Sequence, residues 1–186
     1  CHAHTLPVDL DGDERLDHVI VYASMGLSEA AQSAIRSLRR TWTKGGVGEL
    51  QVAVVGAGEL EMLRDLPHPL NKHITSILGP PSGARVWESL TPFVAPKTVV
   101  QRFKRSIEGQ VNRELANRGL PEAQQIEILA ELTKDLRHYV RRRSRGGTPP
   151  RADTGFGLRL TFAEPIQGPL LLGYASHYGL GHFGAL

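Results

Sequence analysis

The closing stretch of the chain constrains its fold more than any other. Two short apolar runs, Leu158–Phe162 and Leu170–Leu172, are separated by Pro165 and by the pair Gly168-Pro169. Breakers between apolar runs predict a β-hairpin. A tail follows in which Gly173, Gly179, Gly181 and Gly184 alternate with Tyr174, His177, Tyr178 and His182. Glycine backbones take positive φ and let another backbone come close. Exposed amides and aromatic faces of this kind suit a polyanion better than an apolar ligand. Leu180 and Phe183 remain as apolar anchors, and no Ser/Gln/Glu-rich run is present. A purely disordered end is therefore not expected.

A chain of 186 residues fits one domain or two small ones, with enough length to bury a core. No apolar run approaches the roughly 18–20 residues of a membrane span, and no signal-peptide pattern opens the chain. Cys1 is the only cysteine, which excludes an internal disulfide framework and a cysteine-based zinc site. A reducing, cytoplasmic setting is expected. A chain opening on Cys1 rather than Met reads as a piece of something longer. The net charge of +3 is unevenly spread. Residues 97–151 carry 13 Lys/Arg against 6 Asp/Glu, and the rest carries 9 against 13. A basic half beside a mildly acidic half points to a polyanion partner.

His18–Ala23 reads as a strand, and Ser28 as the N-cap of an amphipathic helix reaching Trp42 and ended by Gly45-Gly46. Leu50–Val55 reads as a second, buried strand. Strand, helix, strand opens a ferredoxin-like unit as much as a Rossmann-type one. Residues 57–83 read as irregular, with Pro67, Pro69, Pro80 and Pro81 as breakers. A third strand is expected over Ala84–Thr91. Helices are expected over Val99–Arg118 and Glu122–Arg142, before a basic loop up to Pro150. No internal repeat is present.

Several side chains can carry chemistry. His2 and His4, at i and i+2, share one face of a strand and can act as general base and acid or bind a metal. Asp9, Asp11, Asp13 and Asp17 resemble a calcium loop, but glycine falls at its fourth position and Ile20 at its twelfth, which favours a tight turn. Lys97, Arg102, Lys104 and Arg105, and the cluster Arg141, Arg142, Arg143 and Arg145, are candidate phosphate contacts. Phe93 and Phe103 can stack on bases or pack in a core. Such contacts give affinity without sequence preference. No P-loop, GxSxG, HExxH or dinucleotide fingerprint is present.

Residues 2–23 (HAHTLPVDLDGDERLDHVIVYA), 89–97 (SLTPFVAPK), 113–122 (RELANRGLPE) and 157–186 (GLRLTFAEPIQGPLLLGYASHYGLGHFGAL) occur in that order. Together they resemble the C-terminal, repeat-processing endoribonuclease module of the fused subunit of type I-G (formerly I-U) CRISPR systems, in the RAMP superfamily. The resemblance implies an α+β fold of ferredoxin-like (RRM-like) βαββαβ type, with a second partial half and a glycine-rich loop that touches RNA. The module would span residues 1–186, with possible halves 1–95 and 96–186, and would lack the N-terminal backbone-type module of its relatives.

The implied activity is cleavage of pre-crRNA within its repeat. The 2′-OH attacks the adjacent phosphate, leaving 2′,3′-cyclic phosphate and 5′-OH ends, with no metal or other cofactor. The alternative is a non-catalytic RNA-binding scaffold. By resemblance, His4 is the base and His2 or His177 the acid or orienting group, with Tyr174 and Tyr178 as weaker alternatives and His182 held back. Lys97, Arg102, Lys104, Arg105, Arg141, Arg142, Arg143, Gly173, Gly179 and Gly181 would meet RNA. The implied partners are repeat RNA and other subunits of a surveillance complex.

Overall fold

A computed structural model describes residues 3–13, 15–42, 49–99, 106–137 and 154–186. The fold is mixed α+β, and every strand pairing is antiparallel. Strands β1 (His4–Val8) and β2 (His18–Tyr22) form a hairpin in which Leu6 faces Ile20. Leu6 and Val8 alternate inward, as the two-residue period of a strand requires.

Ser28 caps α1 (Glu29–Ser37) as expected, its hydroxyl accepting the Ala31 N–H. The helix does not reach Trp42. Residues Arg40–Trp42 are strand β3, paired with β4 (Glu49–Gln51). Helix α1 buries no residue, so no core holds its last turn, and Thr41-Trp42 prefer the extended backbone. The buried strand expected over Leu50–Val55 is corrected likewise: β4 is short and exposed, and Val55 is 81% accessible. The opening strand, helix and strand share no sheet among the described residues.

Residues 57–83 are more regular than their prolines suggest. A 3-10 turn covers Leu60–Asp65, and α2 spans Leu70–Leu78. Pro69 stands just before that helix, where a missing N–H costs nothing. Ile74, Ile77 and Leu78 of α2 pack with Leu6, Val8 and Leu171 in one of two cores.

The main sheet uses β5 (Ala84–Ser89), β7 (Gln125–Ile128), β9 (Leu158–Ile166), β10 (Leu170–Leu171) and β11 (His182–Ala185), in the order β10-β11-β5-β9-β7. A small pair, β6 (Phe93–Val94) with β8 (Gly155–Phe156), lies beside it. Helix α3 (Ile107–Asn117) is capped by Ser106 and buries Ile107, Val111 and Leu115 at four-residue spacing. These join Trp87, Phe93, Leu160, Phe162 and Phe183 in the larger core.

Two expectations fail here. Residues 125–128 are a strand rather than part of a helix over Glu122–Arg142, and α4 is confined to Ala130–Leu136 within the described residues. The alternation of Ile126 and Ile128 is the strand period, and β9 supplies the pairing. The closing runs also form no hairpin, because β9 and β10 are separated by β5 and β11. A Cβ on Gly168 would lie 2.7 Å from the Trp87 ring and 2.4 Å from the Ile77 carbonyl. The glycine–proline pair therefore lets the chain cross over a packed core instead of turning back.

Candidate functional site

The glycine-rich segment between β10 and β11 is tightly built. Gly181 has φ of 61°, and a Cβ there would lie 1.7 Å from the Leu172 carbonyl oxygen. Only glycine fits such an approach. The Leu172 N–H donates to the Gly181 carbonyl at 2.8 Å, and the Gly181 N–H donates to the Pro92 carbonyl at 2.9 Å. The Gly173 N–H donates to Glu114 Oε2 at 3.1 Å, and the Gly179 N–H to the Ser176 carbonyl at 3.3 Å. Thr91 donates its hydroxyl to the Gly179 carbonyl and accepts the His182 N–H.

The amides of Gly173, Gly179 and Gly181, expected to face a polyanion, are thus directed into the fold. Side chains are what the loop presents instead. Tyr178 is 72% accessible and Tyr174 41%, while His177 is half-buried with its ring centroid 4.2 Å from that of Tyr178.

The entry strand meets this loop. The Thr5 hydroxyl donates to the His177 carbonyl at 3.1 Å, and Pro7 is the nearest neighbour, at 3.2 Å, of a Cβ placed on Gly179. His4 and His177 therefore belong to touching elements, 173 positions apart in the chain. On β1, strand alternation puts His4 with Leu6 and Val8, opposite Thr5 and Pro7. Tyr22 stands across from His4, and burial raises its phenol's pKa. His2 lies outside the described residues. His182 is 1% accessible, neither ring nitrogen has a hydrogen-bond partner among the described residues, and burial pushes its pKa down to about 4. A neutral, enclosed imidazole is not a phosphate contact.

Of the cations, Lys97 is exposed, and its backbone N–H donates to the Gln110 Oε1 at 2.8 Å. Arg102, Lys104, Arg105, Arg141, Arg142, Arg143 and Arg145 lie outside the described residues. Lys97 joins Pro96, Gln110, Arg113, Glu114 and Asn117 around an open cavity of about 270 Å³. Glu114 reaches from this cavity to the loop, because its Oε2 accepts both the Gly173 N–H and Arg118 at 2.9 Å. Arg118 in turn donates to the Ser176 hydroxyl at 3.5 Å. Arg113, Glu114, Asn117 and Arg118 were not among the sequence-derived candidates. Their signal was the helical spacing of Arg113 with Asn117 and of Glu114 with Arg118, each four residues apart.

Asp9, Asp11 and Asp17 bring carboxylate oxygens within 4.8 Å of one another and are the described residues best placed to hold a cation; Asp13 stands apart from them. Their oxygens accept the N–H groups of Gly12, Asp13 and Leu10, and Gly12 has φ of 81°. These bonds build the tight turn leading into β2.

Among the described residues, no helix is long and apolar enough to cross a membrane. The chain matches no protein-family model, no curated protein and no solved structure.

Proposed function

We propose that this chain binds CRISPR repeat RNA and cleaves it within the repeat, as a processing endoribonuclease module working in the cytoplasm beside other subunits of a type I surveillance complex. The observation that carries the reading is the loop before β11. It exposes Tyr178 and keeps His177 half-buried beside it, while the strand bearing His4 is tied to it through Thr5. The strand order supports the same reading. With β5, α3, β7, β9 and β11 taken in sequence, the order β11-β5-β9-β7 is that of a ferredoxin-like unit. The second helix of such a unit is replaced by the loop. In this reading the ferredoxin-like half takes residues 84–186.

In this reading the 2′-oxygen attacks the neighbouring phosphorus and the bond to the leaving 5′-oxygen breaks. One imidazole takes the 2′-OH proton and another group gives a proton to the 5′-oxygen. His177 takes one of these roles from the exposed loop, and His4 or Tyr178 the other. Each contributes about 10²–10⁴-fold, and Lys97 with neighbouring arginines steadies the charge on the phosphorane. The reaction needs no metal or other cofactor.

The scaffold alternative also has an observation in its favour, namely that His4 lies on the strand face opposite the loop contact. Incubating the chain with end-labelled repeat RNA in EDTA decides between the two. A single cut leaving a 2′,3′-cyclic phosphate, blocked by a 2′-deoxy nucleotide and lost in His177→Ala while binding persists, is the expected result. Tight binding without a cut favours the scaffold.

A further inference from the structure

We propose that the cavity between α3 and the Pro96–Lys97 turn is a subsite for one nucleotide of an extended RNA strand, with Arg113 and Lys97 on its phosphate and Glu114 and Asn117 on its sugar. The proposal rests on the RNA-binding part of the reading above and not on cleavage. At about 270 Å³ the cavity is smaller than the roughly 300–1,000 Å³ of sites that enclose a whole small molecule. One unit of a polymer passing through suits it better than a free ligand.

Its lining is polar in a particular way. Lys97 and Arg113 are exposed and cationic, and neither has an ion pair among the described residues. A phosphate is the partner such a pair lacks. Among the described residues, both hydrogen bonds to the Glu114 carboxylate go to Oε2, which leaves Oε1 to accept a hydroxyl proton such as a ribose 2′-OH. The neighbouring Arg118 offsets the carboxylate charge, so the four side chains still attract an anion. Asn117 adds an amide that both donates and accepts.

The cavity also adjoins the loop. The Tyr174 N–H donates to the Val94 carbonyl at 2.8 Å, two residues before Pro96, and Gly173 is held by Glu114 itself. An occupant therefore touches the carboxylate that fixes the start of the loop, and RNA running from the cavity passes next to Tyr174.

The test measures anisotropy of fluorescein-labelled repeat RNA with the full chain, and with Lys97→Glu, Arg113→Glu and, as a charge-matched control, Arg85→Glu. Arg85 pairs with Glu164, lies near the start of β5 and is not among the residues around the cavity. Each cavity variant is expected to weaken binding about tenfold and to lower the salt slope by about one contact. Arg85→Glu is expected to stay within about twofold, as a general field effect would be screened. The alanine variants at both cavity positions repeat the comparison if a reversal lowers the thermal midpoint. Cavity variants that bind like the parent overturn the subsite and leave RNA binding standing. An equal loss in Arg85→Glu also overturns it, since net charge alone would then explain the effect. A parent chain that binds no RNA overturns the subsite together with the functional reading.

Discussion

Gly181 and His182 are adjacent and obey opposite constraints. Gly181 admits no side chain, because a Cβ would overlap the Leu172 carbonyl oxygen. Gly181→Ala is expected to destabilise the chain by about 2–4 kcal/mol, combining positive-φ strain with that clash, read as a shifted midpoint in urea. His182 carries a side chain that the fold encloses without a polar partner among the described residues. With its folded pKa near 4, below the ordinary 6.5, the unfolded chain takes up a proton that the folded chain refuses. Its neutral form thus supports the fold fully above pH 6.5, and that support is lost as pH falls toward 4. The loss amounts to about 3 kcal/mol. His182→Leu is expected to flatten that part of the stability–pH curve and to cost little at pH 7, since burying an unpaired imidazole gains nothing. The sequence shows these glycines and histidines, but nothing in it separates the enclosed His182 from the half-buried His177. Only the pairing of β11 with both β10 and β5 does that.

Among the elements, α3 links core and loop. A helix was expected over Val99–Arg118, and α3 begins only at Ile107, where Ser106 serves it as an N-cap. Ser106→Ala is expected to cost about 1 kcal/mol, measured by thermal unfolding. On the opposite side, Glu114→Ala removes the carboxylate that accepts the Gly173 N–H and one of the bonds from Arg118. That change is expected to raise amide exchange at Gly173 well before global stability falls, at a local cost of about 1–3 kcal/mol. Elements were misread wherever local pattern had two solutions. Ile126 and Ile128 fit a strand or a helix, and the neighbour β9 decided. The run Leu50–Val55 looked buried because apolar residues usually are, yet no layer covers it among the described residues. Pro69 was read as a breaker and instead stands as the residue just before α2.

At the scale of the molecule, two cores meet through the β10 and β11 strands. Leu170 belongs to the cluster around Trp87, and Leu171 to the one formed by α2 and β1. The α+β class was legible from the mixture of periods, but the sheet order was not. It depends on the crossover at Gly168, where the approach of the chain to Trp87 replaces a turn. The excess of basic residues between 97 and 151 predicts a global property. RNA affinity is expected to fall with salt at a log–log slope steeper than about −1.4, from two phosphate contacts at about 0.7 each, measured by anisotropy between low and physiological salt.

The bond from Thr5 to the His177 carbonyl joins residues 172 positions apart. On a ribosome the strand that bears Thr5 emerges long before the loop that holds His177. Closing so long a span is entropically costly and comes late. The loop is thus fastened only after the strand that anchors it has waited for that span to emerge, which makes the fastened loop a late mark of folding.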